Sequence, residues 1–214
     1  MRINRVKKLW REGKTAVGGF LSIPHVLSAE TMAHTGLDWL CIDMQHGCID
    51  YSDAVPMLAA ISTTAVTPFV RVPWNEPSVI MKVLDAGAYG VIVPMVSNRA
   101  EAERAVAACR YPPKGIRSNG PNRAALYGGA DYQKHADNEM LCIVMIETAE
   151  GIENFHDHRR LVPRHAHERR DIGGGYRSQH RHHIRVVDAA VLHVDAQPVE
   201  PGMGHHLGLH AVRD

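Results

Sequence analysis

Three side chains at the ends of apolar runs could share one reaction: His46, Arg71 and Glu147. Trp39-Leu40-Cys41-Ile42 breaks into Asp43-Met44-Gln45-His46-Gly47, Thr67-Pro68-Phe69-Val70 ends in Arg71, and Leu141 to Ile146 ends in Glu147-Thr148. An imidazole moves protons near neutral pH. A guanidinium offers a planar fork to a carboxylate or an enolate oxygen. A carboxylate oxygen suits a hard divalent cation. Each also has a plain structural reading. His46 can be a hydrogen-bonded loop residue, Arg71 can pair with an acid such as Asp43, and Glu147 can favour a helix start through the macrodipole.

The elements that must position these groups repeat. Apolar runs centred near residues 19, 42, 69 and 92 alternate with helical stretches, and a fifth run follows at 141–148. The runs are apolar throughout rather than alternating, so both faces of each strand are buried. Strand–helix units of this kind give a parallel sheet with helices outside. A doubly wound sheet and a (β/α)8 barrel both fit. The even spacing and the polar strand ends favour the barrel, whose reactive face lies at the strand C-termini.

The helices are bounded by recognisable signals. An N-terminal helix is expected within residues 1–14. Ser28 is the expected cap of a helix stopping at Gly36, Asp50 or Ser52 that of a helix over 53–62, and Pro77 opens one stopping at Gly87. A further helix is expected over 99–110. The stretch Tyr111 to Arg123 reads as a Gly/Pro/Arg-rich loop, with Lys114, Arg117 and Arg123 solvated or meeting substrate carboxylates, before a short polar helix at 131–138. His25 reads as a loop residue at the rim.

Bulk composition excludes several classes. A net charge of +1 over 214 residues does not point to nucleic acid or an anionic membrane. No apolar run approaches the roughly 18 residues of a membrane span, and no signal peptide is read at Met1 to Arg11. Cys41 and Cys142 lie inside apolar runs and read as buried thiols, which suits a reducing, cytoplasmic setting. All six lysines and four of fifteen histidines fall in 1–155; residues 156–214 hold no lysine, nine arginines and eleven histidines. The two segments therefore read differently, as an N-terminal portion of a barrel and a divergent His/Arg-rich segment of the kind a shifted reading frame produces. Only Val186 to Val194 there is a sustained apolar run, as strand or as helix.

Leu37 to Gly47, Thr67 to Asn75, Val83 to Pro94, Tyr111 to Arg117 and Val144 to Gly151 together resemble the HpcH/HpaI family of metal-dependent (class II) pyruvate aldolases, over roughly residues 14–155. The resemblance implies a TIM-type (β/α)8 barrel, incomplete or altered after residue 155. It implies cleavage of a 4-hydroxy-2-oxo acid such as 4-hydroxy-2-oxoheptane-1,7-dioate to pyruvate and an aldehyde, as in aromatic compound catabolism. A divalent Mg²⁺, Mn²⁺ or Co²⁺ and a homo-oligomer, commonly a hexamer, are implied with it. By motif, His46 resembles the acid/base histidine, Arg71 the substrate-binding arginine and Glu147 a metal-binding carboxylate. Asp43 and Asp85 resemble site aspartates, Asp85 orienting the histidine across a subunit contact. The family's second metal carboxylate, in a Gly-Pro-Xaa-Asp-Leu-Ser motif, has no counterpart after Glu147; the flanks of Asp171 do not match it. The alternatives are a citryl- or malyl-CoA-type lyase on the same barrel, an inactive remnant, and a non-catalytic binding protein.

Overall fold

The computed structural model describes residues 1–154 and 189–193. Five strand–helix units follow one another: β1 (Gly18–Leu21), α2 (Val26–Ala33), β2 (Trp39–Asp43), α3 (Tyr51–Ser62), β3 (Thr67–Arg71), α4 (Pro77–Asp85), β4 (Gly90–Val93), α5 (Arg99–Ala108), then β5 (Leu141–Ile146) and α8 (Ala149–Glu153). A short α1 (Arg5–Arg11) precedes them, and α6 (Asn122–Gly128) and α7 (Tyr132–Glu139) lie between α5 and β5. The apolar run near 190 forms a strand, β6 (Ala189–His193), parallel to β5. The sheet order is β1-β2-β3-β4-β5-β6, and every neighbouring pair is parallel.

Strand parity divides the core in two. Leu40, Ile42, Val70, Val91, Val93, Cys142 and Val144 pack with residues of α2 to α7 in the larger cluster. Trp39, Cys41, Phe69, Ile92, Leu141, Ile143 and Met145 form a second cluster on the opposite face, with Val6 of α1. Both faces of β2 to β5 are buried, which is why these strands carry no polar alternation. Burying one such side chain contributes about 1.5–3 kcal/mol. The glycine of β1 at the Trp39 register position has a packing reason: a Cβ on Gly18 would overlap the Trp39 ring.

α1 closes the end at which strands begin. Asn4 is fully buried, caps α1 through the Val6 and Lys7 N–H groups, and donates from Nδ2 to the carbonyls of Tyr89 and Glu139, just before β4 and β5. The opposite end, where strands finish, is left to polar residues.

Several expected boundaries move. Ser28 is not a cap: α2 begins at Val26, and His25 takes the cap position, its Nδ1 accepting from the Leu27 N–H at 3.2 Å. Asp50 does precede α3, and the Asp53 carboxylate accepts its N–H at 2.9 Å. The Gly/Pro/Arg stretch is free of helix up to Pro121, as expected, and α6 begins at its last two residues, Asn122 and Arg123.

Candidate active site at the strand C-termini

The parity that sends Trp39, Cys41 and Phe69 to the second cluster also sends Asp43 and Arg71 to that face, at the ends of β2 and β3, and Glu147 directly follows β5. Asp43 and Arg71 are register partners. Arg71 donates from Nε to Asp43 Oδ1 at 2.8 Å and from Nη2 to Oδ2 at 2.5 Å, a two-point pair. Phe20, on β1, lies under the guanidinium, with 5.1 Å from Arg71 Cζ to the ring centroid. The structural reading of Arg71 as the partner of an acid thus holds. It does not use up the fork: a guanidinium has five N–H donors, and among the described residues Nη1 has no hydrogen-bond partner.

Electrostatics follow from this geometry. Burial pushes the Asp43 carboxyl up, but hydrogen bonds from Arg71 and from the His46 and Gln45 N–H groups outweigh it and hold it below the usual carboxylate range. Burial opposes the Arg71 charge, and Asp43, with a smaller contribution from Glu147, raises its pKa above the ordinary value. That Glu147 acts on Arg71 places it within electrostatic reach of the pair.

His46 is exposed at the same end. Asp43 Oδ1 accepts the backbone N–H of Gln45 at 3.1 Å and of His46 at 3.2 Å, so one carboxylate fixes both Arg71 and the turn that carries the imidazole. Gly47 is required next: a Cβ there would overlap the Asp43 carbonyl oxygen and crowd Ser22. Glu147 is exposed, and its Oε2 accepts the Met95 N–H at 3.0 Å.

Asp85 lies elsewhere within the chain. It ends α4, which returns from the tip of β3 toward the start of β4. Its Oδ1 accepts from Arg117 Nη2 at 2.7 Å. Arg117 corrects the expectation of a solvated loop: it is 0% exposed, stacked beside Tyr111 and Tyr132, with Tyr132 Oη 3.1 Å from Nη2. Burial holds the Tyr111 hydroxyl up at about 12, so it stays a neutral neighbour to that cation. Arg123 is half-buried against the Ala86 carbonyl and the Tyr127 ring, while Lys114 is exposed as expected.

Two participants were missed in the sequence, Phe20 and Met95. Phe20 carried a usable signal, since β1 parity pairs it with Cys41 on the face of the second cluster. Met95 carried none, because its contribution is a backbone N–H.

As a cation site the donors fit in kind but not in number. Glu147 Oε1 is a hard oxygen left by the Met95 contact, and Asp43 is committed to Arg71. Among the described residues no group of three His, Cys, Asp or Glu side chains gathers to hold a metal. Asp171 and the tail histidines other than His193 lie outside the described residues.

This arrangement coincides with a family match: the family model of HpcH/HpaI aldolase/citrate lyase fits residues 17–159. The chain belongs to the HpcH/HpaI family. Among curated relatives, a hydroxypyruvate/pyruvate aldolase of Rhizorhabdus wittichii is 46% identical over 153 residues, covering 72% of this chain and 61% of that one. A 5-keto-4-deoxy-D-glucarate aldolase of Escherichia coli is 37% identical over 153 residues, covering 71% and 60%. A crystal structure of an HpcH/HpaI aldolase/citrate lyase family protein from Burkholderia cenocepacia matches with TM-score 0.66 and 34% identity, covering 74% of this chain and 64% of that one. A citrate synthase, SbnG, matches with TM-score 0.64 and 34% identity over 72% and 60%. The match thus spans about three-fifths of the length of these HpcH/HpaI relatives. No helix of the described residues is long and apolar enough to cross a membrane.

Proposed function

We propose that this chain is a carbon–carbon lyase that interconverts a 4-hydroxy-2-oxo acid with pyruvate and an aldehyde. The observation that carries the reading is the Asp43-anchored Arg71 fork at the same end of the sheet as Glu147, beside the turn bearing His46. In the cleavage direction the 4-hydroxyl loses its proton, directly or through water, to His46. The C3–C4 bond breaks, the aldehyde leaves, and the electron pair becomes the pyruvate enolate. The free Nη1 side of Arg71 holds the 2-oxo and carboxylate oxygens as that charge develops. The proton at His46 then returns to C3.

A divalent ion, Mg²⁺, Mn²⁺ or Co²⁺, belongs to this proposal as the Lewis acid that stabilises an enolate when bound. Glu147 is the one described residue that would ligate it. A closed (β/α)8 barrel, a homo-oligomer, and Asp85 reaching His46 of a second copy belong to it too. The support for the barrel is the sequential parallel strand order, with α2 to α7 on one face and the filled second cluster on the other.

The short donor set among the described residues favours a second reading, an inactive relative that retains the substrate half of the site. The citrate synthase likeness favours the same enolate chemistry run toward bond formation. A pyruvate-release assay on the full chain with 4-hydroxy-2-oxoheptane-1,7-dioate, with and without Mn²⁺ or Co²⁺, separates these. Metal-dependent release is expected; no release with any of the ions sinks the lyase reading.

A further inference from the structure

Met95 is the one non-glycine residue among those described with a left-handed backbone, φ 56°. Such a conformation is strained for a side chain with a Cβ and persists only where the surroundings over-determine it. Here they do. The Met95 N–H donates to Glu147 Oε2 at 3.0 Å, and the next N–H, of Val96, donates to the Met145 carbonyl at 3.1 Å. Ser97 Oγ lies 2.6 Å from Thr148 Oγ1, and Asn154 Nδ2 donates to the Ser97 carbonyl at 3.2 Å. The β4–α5 loop is thereby stitched residue by residue to the β5–α8 segment, and two exposed carboxylates take part: Glu147 accepts the Met95 backbone N–H, and Glu150 accepts from Asn98 Nδ2 at 3.4 Å. Gly151 belongs to the same seam, since a Cβ there would sit 3.1 Å from Thr148 Oγ1 and 3.3 Å from the Val96 carbonyl oxygen.

We propose that the Met95 peptide N–H is the positioning group for Glu147: it fixes Oε2 and leaves Oε1 as the single oxygen presented to the site. Met95 itself touches no reacting atom. Its left-handed turn aims an N–H at a side-chain carboxylate instead of a ladder carbonyl, and a charge-assisted bond of this kind is stronger than a neutral one. The inference rests on the reading of Glu147 as a site carboxylate, and it adds that Glu147 acts through one oxygen only.

The test uses the full chain and two readouts. The first is amide hydrogen exchange at Met95, with Val96 as internal reference because its acceptor is a backbone carbonyl. Glu147→Ala should speed Met95 exchange at least tenfold while Val96 is unchanged, and Glu147→Gln should keep most of the protection. Unchanged Met95 exchange in Glu147→Ala overturns the proposal. The second readout is the Mn²⁺ concentration that half-saturates hydrogen–deuterium exchange at C3 of pyruvate. An ester in place of the Pro94–Met95 peptide bond deletes only the N–H and should raise that concentration at least fivefold, with the thermal midpoint within a few degrees of wild type. Met95→Val, whose branched side chain opposes the left-handed turn, should move it in the same direction. If Glu147→Ala raises it and neither Met95 change does, the positioning role is overturned while the reading of Glu147 stands. If Glu147→Ala leaves it unmoved, or the wild-type chain shows no exchange, both fall together.

Discussion

Arg71 and Asp43 face each other in register across β3 and β2 and close a two-point ion pair whose carboxylate also holds the turn carrying His46. The Asp43 side chain is 4% exposed and that of Arg71 14%, so removing one partner strands a charge in a poorly solvated place. Asp43→Asn should lower unfolding free energy by about 3 kcal/mol, the scale for breaking a buried pair from one side, measured by urea denaturation at pH 7. A loss under 1 kcal/mol would remove the pair from the account of stability.

The same pair sets a pH dependence. Because the folded Asp43 carboxyl is held below its ordinary range, its stabilisation is complete above the unfolded value of about 3.9. It is lost as pH falls through the lower folded value. Wild-type stability should therefore drop below about pH 4, and Asp43→Asn should flatten part of that drop. Parallel wild-type and variant profiles between pH 2 and 5 would count against the assignment.

The role proposed for His46 lies in chemistry and not in the fold. Its ring is exposed and has no hydrogen-bond partner among the described residues. His46→Ala should reduce kcat for pyruvate release by about 10²–10⁴-fold, the range for a general acid–base group. Thermal stability should change by no more than about 0.5 kcal/mol. Full turnover in the variant removes the imidazole from the mechanism.

The strands were legible because unbroken apolar runs allow few other readings, and their polar tips do gather at one end of the sheet. Asp43, Arg71 and Glu147 were legible only as polar residues at strand ends; the register that pairs Asp43 with Arg71 came from the structure. The helix starts were less legible. Ser28 is the usual type of cap and His25 is not, yet His25 takes the position through its Nδ1. Arg117 was misread for a different reason. A Gly/Pro-rich stretch around an arginine looks solvated, and nothing local announces that Tyr111, Tyr132 and Asp85, from distant positions, enclose its charge. The Met95 contact was invisible because a backbone dihedral leaves no mark when the residue is not glycine.

Gly47 is where the turn has no room. A Cβ would overlap the Asp43 carbonyl oxygen, which is backbone and cannot swing away. Gly47→Ala should cost about 1–3 kcal/mol, the range for overpacking, and should raise KM more than tenfold as His46 and Asp43 shift. Wild-type stability and KM together would show that the turn relaxes freely.

Asp85 is predicted to serve two partners, and they can be separated. Within the chain it neutralises Arg117, whose side chain is 0% exposed while that of Asp85 is 27% exposed. Asp85→Ala leaves that guanidinium buried without its acid and should cost about 3 kcal/mol. Asp85→Ala combined with Arg117→Met removes both charges and fills the space with an apolar chain, so stability should largely return in calorimetry. If Asp85 also orients His46 of a second copy, the double variant should regain its fold while kcat for pyruvate release stays at least tenfold down. Arg117→Met alone should keep much more of that rate. A stable double variant with wild-type kcat would confine Asp85 to the Arg117 pair and leave His46 to be oriented by its own chain.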